Sequence, residues 1–114
     1  MGYIRHDAIV VTSWSAGAIA HAAAMALKLG LEVLGPSDEA TNGYRTMLVC
    51  PDCSKEGWDE SDACDANREA FLAYLNSVRY SDNSSPLEWV ALSYGSDDRS
   101  ASIAQHAWEA PLKE

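Results

Sequence analysis

Apolar and polar positions alternate along this chain in two different rhythms, and the switches between them mark out its elements. Ala8-Ile9-Val10-Val11-Thr12-Ser13-Trp14 is a β-branched apolar run and predicts a buried strand. Ser15 then stands where a helix cap belongs. Beyond it Ala18, Ile19, Ala22, Met25, Ala26 and Leu29 repeat at three and four residues, the period of one helix face, until Gly30 supplies a stop. That face is mostly alanine, which lets a helix approach a sheet closely. Residues 31–34 read as a short strand ended by Gly35-Pro36, residues 37–43 as a polar connection with a turn at Asn42-Gly43, and residues 44–50 as the returning strand, halted by Pro51.

A loop over residues 52–60 carries Trp58. Ser61 or Asp62 is expected to cap a second, longer helix reaching about Tyr80, with Cys64, Arg68 by its aliphatic stem, Phe71, Leu75 and Val78 facing inward and Leu72 beside them. Residues 81–86 are rich in turn formers, and residues 87–94 form the last clear strand, stopped by Gly95. From Asp97 to Glu114 no strong period emerges. This stretch is read as a C-terminal tail packing on a single α+β domain of residues 1–96, and it has the options of an added edge strand or a turn of helix.

The order strand, helix, strand, strand, helix, strand predicts a ferredoxin-like βαββαβ sandwich, a four-stranded antiparallel sheet with two helices on one face. A sheet whose second helix packs differently is the alternative. In such a sandwich the uncovered face should be polar. Here Ala8, Val10, Thr12 and Trp14 lie opposite Ile9, Val11 and Ser13, Leu48 and Cys50 opposite Met47 and Val49, and Val90 and Leu92 opposite Trp89 and Ala91, so both faces are apolar on three strands. Three covers suit that surface: a second copy packed sheet to sheet, the tail through Trp108, or a partner in a groove. The homodimer is the preferred expectation.

Composition agrees with a packed domain, at 114 residues with 47% hydrophobic and 22% charged residues. The first residues lack the basic and long apolar regions of a secretory signal, and residues 16–29 are interrupted by His21 and Lys28. A cytoplasmic protein with thiols rather than disulfides is expected from its three cysteines, Cys50, Cys53 and Cys64. Seventeen acidic against eight basic side chains give a net charge of −9, which disfavours nucleic acid and anionic membranes as partners.

Candidate chemistry concentrates in Asp52, Glu56, Asp59, Glu60, Asp62 and Asp65. Converging carboxylates suit a hard cation, but the spacing is not that of a calcium loop, and acids at a helix start are stabilised there by about 0.3–1 kcal/mol each without any metal. A third use is an acidic surface for a basic partner. Cys50-Pro51-Asp52-Cys53 has the gap of a zinc half-site with Cys64 as a third ligand, yet His6, His21 and His106 do not stand at a matching spacing for the fourth. Neither a metal nor another cofactor is called for. His6 and Asp7 with Thr12, Ser13 and Ser15 contain the residue types of a nucleophile and base, against the plainer reading of a strand-end histidine and helix-capping serines. No nucleophile elbow or phosphate-cradling glycine loop accompanies them. Of four tryptophans, Trp14 and Trp89 are expected in the core, and Trp58 is a binding candidate.

Tyr3-Ile4-Arg5-His6-Asp7-Ala8-Ile9-Val10-Val11-Thr12-Ser13-Trp14, Asn42-Gly43-Tyr44-Arg45, residues 51–61 and Ser85-Pro86-Leu87-Glu88-Trp89-Val90 together resemble a group of small uncharacterised accessory proteins of tailed bacteriophages. The resemblance covers most of the chain but not the tail, and Cys53 stands where the group carries glycine. It implies a phage origin and no catalytic residue; small phage accessory proteins often act against host systems.

The leading expectation is therefore a non-enzymatic phage accessory protein that binds and inhibits a host protein, such as a defence effector, through its acidic edge or its apolar sheet face. Trp58, Glu56, Asp59, Glu60, Asp62, Arg5, His6 and Arg45 are the candidate binding residues. A small-molecule binder that sequesters a nucleotide signal is the alternative, with Arg5, Arg45 or Lys55 meeting phosphate. A small hydrolase using His6 comes third.

Overall fold

The computed structural model describes residues 5–51, 59–95 and 99–108, and of Arg5 and residues 59–62 only the backbone. Its elements are β1 (Arg5–Ser13), α1 (Ala16–Lys28), β2 (Val33–Leu34), β3 (Arg45–Val49), α2 (Asp59–Ser77), β4 (Glu88–Gly95) and β5 (Ser100–His106), with a 3-10 turn over Thr41–Gly43. All neighbouring strands are antiparallel, in the order β2-β3-β1-β4-β5.

The sheet thus has five strands, not the four expected, because part of the stretch read as a tail pairs with the free edge of β4. Its sequence hides this. Ser100 to His106 holds a single large apolar residue, Ile103, so there is no alternation to read, and the pairing is imposed by the neighbouring backbone. The register slips between Ala91, which faces Gln105, and Leu92, which faces Ile103, leaving Ala104 as the extra residue of a β-bulge.

Helix α1 begins and ends as its sequence dictates. The Ser15 hydroxyl accepts the Ala18 amide at 3.1 Å, and Lys28 complements the negative end of the helix dipole. At the other end the Gly30 amide donates to Leu27 O and the Leu31 amide to Ala26 O, each at 3.0 Å, a Schellman closure made possible by Gly30 at φ +83°. Leu31 is buried just beyond, as that closure favours. Helix α2 starts at Asp59, so Ser61 and Asp62 lie inside its first turn rather than at its cap.

One core joins the layers. Val49, Ile9 and Ala91 form one cross-strand row, and Met47, Val11 and Trp89 the next. Against these rows pack Ile19, Ala22, Ala23 and Ala26 of α1 and Phe71, Leu72 and Leu75 of α2, so both helices cover the same face. Full burial of a side chain such as Phe71, Ile19 or Leu75 stabilises the fold by about 1.5–3 kcal/mol. Cys64, expected within the inward stripe, is only half-buried.

Trp89 belongs to this core, but Trp14 does not: it is 54% exposed. Strand β1 ends one residue earlier, at Ser13, whose hydroxyl is tied to Pro86 and to the Ser15 amide. The chain turns there toward α1, leaving the Trp14 ring outside, 6.4 Å from that of Tyr80. Among the described residues no helix is long and apolar enough to cross a membrane.

Candidate functional site

Alternation along the strands puts a second set of side chains on the face away from the helices. The pairings Leu34–Leu48, Leu48–Val10, Val10–Val90 and Val90–His106 make a row that crosses all five strands. Beside it run Ala8, Leu92 and Ile103, then His6, Tyr94 and Ala101. Val10, Leu48, Val90 and Leu92 are half-buried, while Leu34 and Ile103 are each 60% exposed. Among the described strand residues of this face only Glu88 is formally charged at pH 7. On a chain of net charge −9, that makes the face a neutral, apolar patch on an acidic molecule.

Trp108 follows β5 and borders a hollow with Val10, Thr12, Glu88 and Val90. It is 58% exposed, so among the described residues it closes one corner of the face and leaves the rest open. Its amide donates to His106 Nδ1 at 3.3 Å, which fixes it beside the strand end.

At the far end His6 stacks obliquely on Tyr94, with ring centroids 5.1 Å apart. Its Nδ1 is buried and has no hydrogen-bond partner among the described residues. His6 and Ser13 stand at opposite ends of β1, about 23 Å apart at strand rise. Ser13 and Ser15 are already engaged in the turn and the helix cap. The residues of the nucleophile-and-base reading are therefore not brought together. Adjacent in sequence, His6 and Asp7 also point to opposite faces of the sheet.

A cleft of about 370 Å³ opens on the helix side, between α2 and the β1, β4 and β5 strands, over Ile9, Leu72 and Ala91. Arg68 lies beneath it, only 6% exposed. Its guanidinium donates to Asp65 Oδ1 at 2.6 Å and stands 3.7 Å from Asp7 Oδ2, fastening α2 to β1. With Glu69 the described residues of the cleft include three carboxylates to one guanidinium, a balance that repels phosphate. Sequence periodicity places the Arg68 stem correctly but gives no sign of Asp7, which topology alone brings near. Across the sheet, Arg45 pairs in register with Ser13 and lies near Ser37 O and Glu39, whereas Arg5 pairs with Gly95 at the other end of β1. The two arginines offered for a nucleotide phosphate are thus separated by the length of a strand.

On α2, Tyr74 stacks on Phe71 and brings its hydroxyl to 3.5 Å from His21 Nδ1; burial raises its phenol above the ordinary 10.0. His21 is exposed. The candidates Trp58, Glu56 and Lys55 lie outside the described residues, as do Asp52 and Cys53 and the side chains of Arg5, Asp59, Glu60 and Asp62. Among the described residues no group of three or more His, Cys, Asp or Glu side chains is arranged to hold a metal ion. Compared with known proteins, the chain is matched by no family model, no curated protein and no solved structure.

Proposed function

We propose that this chain is a non-enzymatic binding protein that docks a partner protein on the open face of its sheet. In this reading it is a phage-encoded accessory protein acting in the host cytoplasm, and the partner is a host component, such as a defence effector, that it inhibits. The carrying observation is the continuous apolar row from Leu34 to Val90, unbroken by charge and uncovered by either helix. Surfaces of this kind mark contact sites, since a scattered apolar residue is ordinary but a contiguous patch is not. The strand order β2-β3-β1-β4 supports reading the first four strands as a ferredoxin-like unit to which β5 adds an edge.

Immobilised protein, exposed to host lysate at low salt, is expected to retain a discrete partner. The Leu48→Glu variant, with its fold checked by circular dichroism, is expected to lose it. Retention of the same partner by both proteins, or retention of nothing by the wild type, would refute the proposal.

A further inference from the structure

We infer that in the isolated protein the occupant of the open sheet face is a second copy of the same chain, forming a two-fold, sheet-to-sheet dimer. The inference rests on the reading of this face as a contact surface and names its first partner. Host binding then exchanges one copy for the foreign protein.

Size is the first argument. The five strands are 2 to 9 residues long and hold 31 residues together; with strands about 4.8 Å apart and a rise of about 3.3 Å per residue, that is a face of roughly 490 Å² per copy. Two copies then remove about 980 Å² of projected area, and the corrugated accessible area exceeds that. Specific interfaces begin near 1,000 Å².

Charge is the second argument, and it chooses the partner. At −9, two copies repel each other over most of their surface, and a basic foreign protein would seek the acids. Among the described strand residues of this face only Glu88, at the end of β4, is formally charged. A neutral patch suits an equally neutral patch, and each copy supplies one. Contact through this face also directs the covered helix side of each copy outward.

Shape is the third. The row running from Leu34 through Val10 to His106 is centred on β1, the middle strand, so a two-fold axis near Val10 lays each row against its counterpart. Sheets that meet this way interdigitate side chains about 10 Å apart. Half-buried Val10, Leu48, Val90 and Leu92 would fill the centre, with Leu34, Ile103 and Tyr94 toward the rim.

Sedimentation velocity over a concentration series tests the inference. Wild type is expected at twice the 12.3 kDa chain mass, falling toward one chain mass on dilution. Ile103→Lys, at an exposed edge position that tolerates the change, and Leu92→Lys are each expected to weaken the dimer at least ten-fold. Ala24→Lys, on the exposed side of α1, is expected to leave it unchanged. A wild type that is monomeric at every concentration overturns the inference, as does a dimer indifferent to both face variants. If that monomer still captures a host partner and Leu92→Lys does not, the docking face stands and only the second copy falls. A face-dependent dimer that captures nothing has the opposite meaning: the second copy stands and the host partner falls.

Discussion

The Ser13 hydroxyl donates a 2.6 Å hydrogen bond to the carbonyl of Pro86, 73 residues further along the chain, and accepts the Ser15 amide at 3.0 Å. One fully buried side chain thereby ends β1, orients the entry to α1 and fixes the approach to β4.

Ser13→Ala should therefore cost about 1–3 kcal/mol, because it leaves a buried carbonyl and an amide without their partner. Urea unfolding followed by circular dichroism gives the number. An unchanged midpoint would show that the hydroxyl is dispensable.

Arg68→Met keeps most of the apolar stem but removes the guanidinium between Asp65 and Asp7. Breaking a well-buried pair costs about 3–5 kcal/mol. The carboxylates here are 46% and 32% exposed, so water screens part of the loss and about 1–3 kcal/mol is expected. Asp65→Asn should cost less than about 1 kcal/mol, since its neutral oxygen still accepts. The same unfolding measurement distinguishes them, and equal losses would argue against the ordering.

Two glycines should respond in opposite directions to alanine. At Gly35, with φ at +98°, a Cβ would sit 3.0 Å from Thr46 O and 3.2 Å from Met47 Cα, both backbone atoms that cannot swing aside. A loss of about 2 kcal/mol or more is expected. At Gly17, inside the first turn of α1, a Cβ meets nothing within 4 Å, and a gain of about 0.4–1 kcal/mol is expected. Thermal midpoints of the two variants should fall on either side of wild type.

Asp82 should titrate below the ordinary 3.8, because the Ser84 hydroxyl at 2.6 Å and the Ser84 amide at 2.9 Å both donate to its charged carboxylate. A folded-state value lowered this way contributes stability above the unfolded pKa, and that contribution disappears as pH falls through the folded one. Carboxyl NMR titration should show the low midpoint in wild type and an upward move in Ser84→Ala. No difference between the two would exclude the hydroxyl as a cause.

How much of this fold is legible in the chain follows the physical range of each signal. Period-two alternation in β1, β3 and β4 exposes both faces, since every other side chain must lie on one side or the other. The Ala18 to Leu29 stripe and Gly30 locate α1 because caps and faces are local. Trp14 reads as core from its neighbours because the residue that ends β1 is bonded to Pro86, far along the sequence, and no window around Trp14 contains it. The Arg68 cleft is invisible for the same reason: Asp7 reaches it through topology. β5 is legible only as one of two options for the tail, an edge strand or a turn of helix, because Ser, Ala and Gln have little strand preference of their own and Ile103 alone cannot establish a period.

The placement of β1 has an effect on how the molecule is born. Of the described strands, the first in sequence occupies the middle of the sheet, and the neighbours on its two sides are Arg45–Val49 and Glu88–Gly95. Until the ribosome has delivered the latter, one flank of β1 stays bare, with Trp89 and Ala91 missing from the core rows. Assembly must wait for distant segments, and such non-local pairing slows folding among small domains.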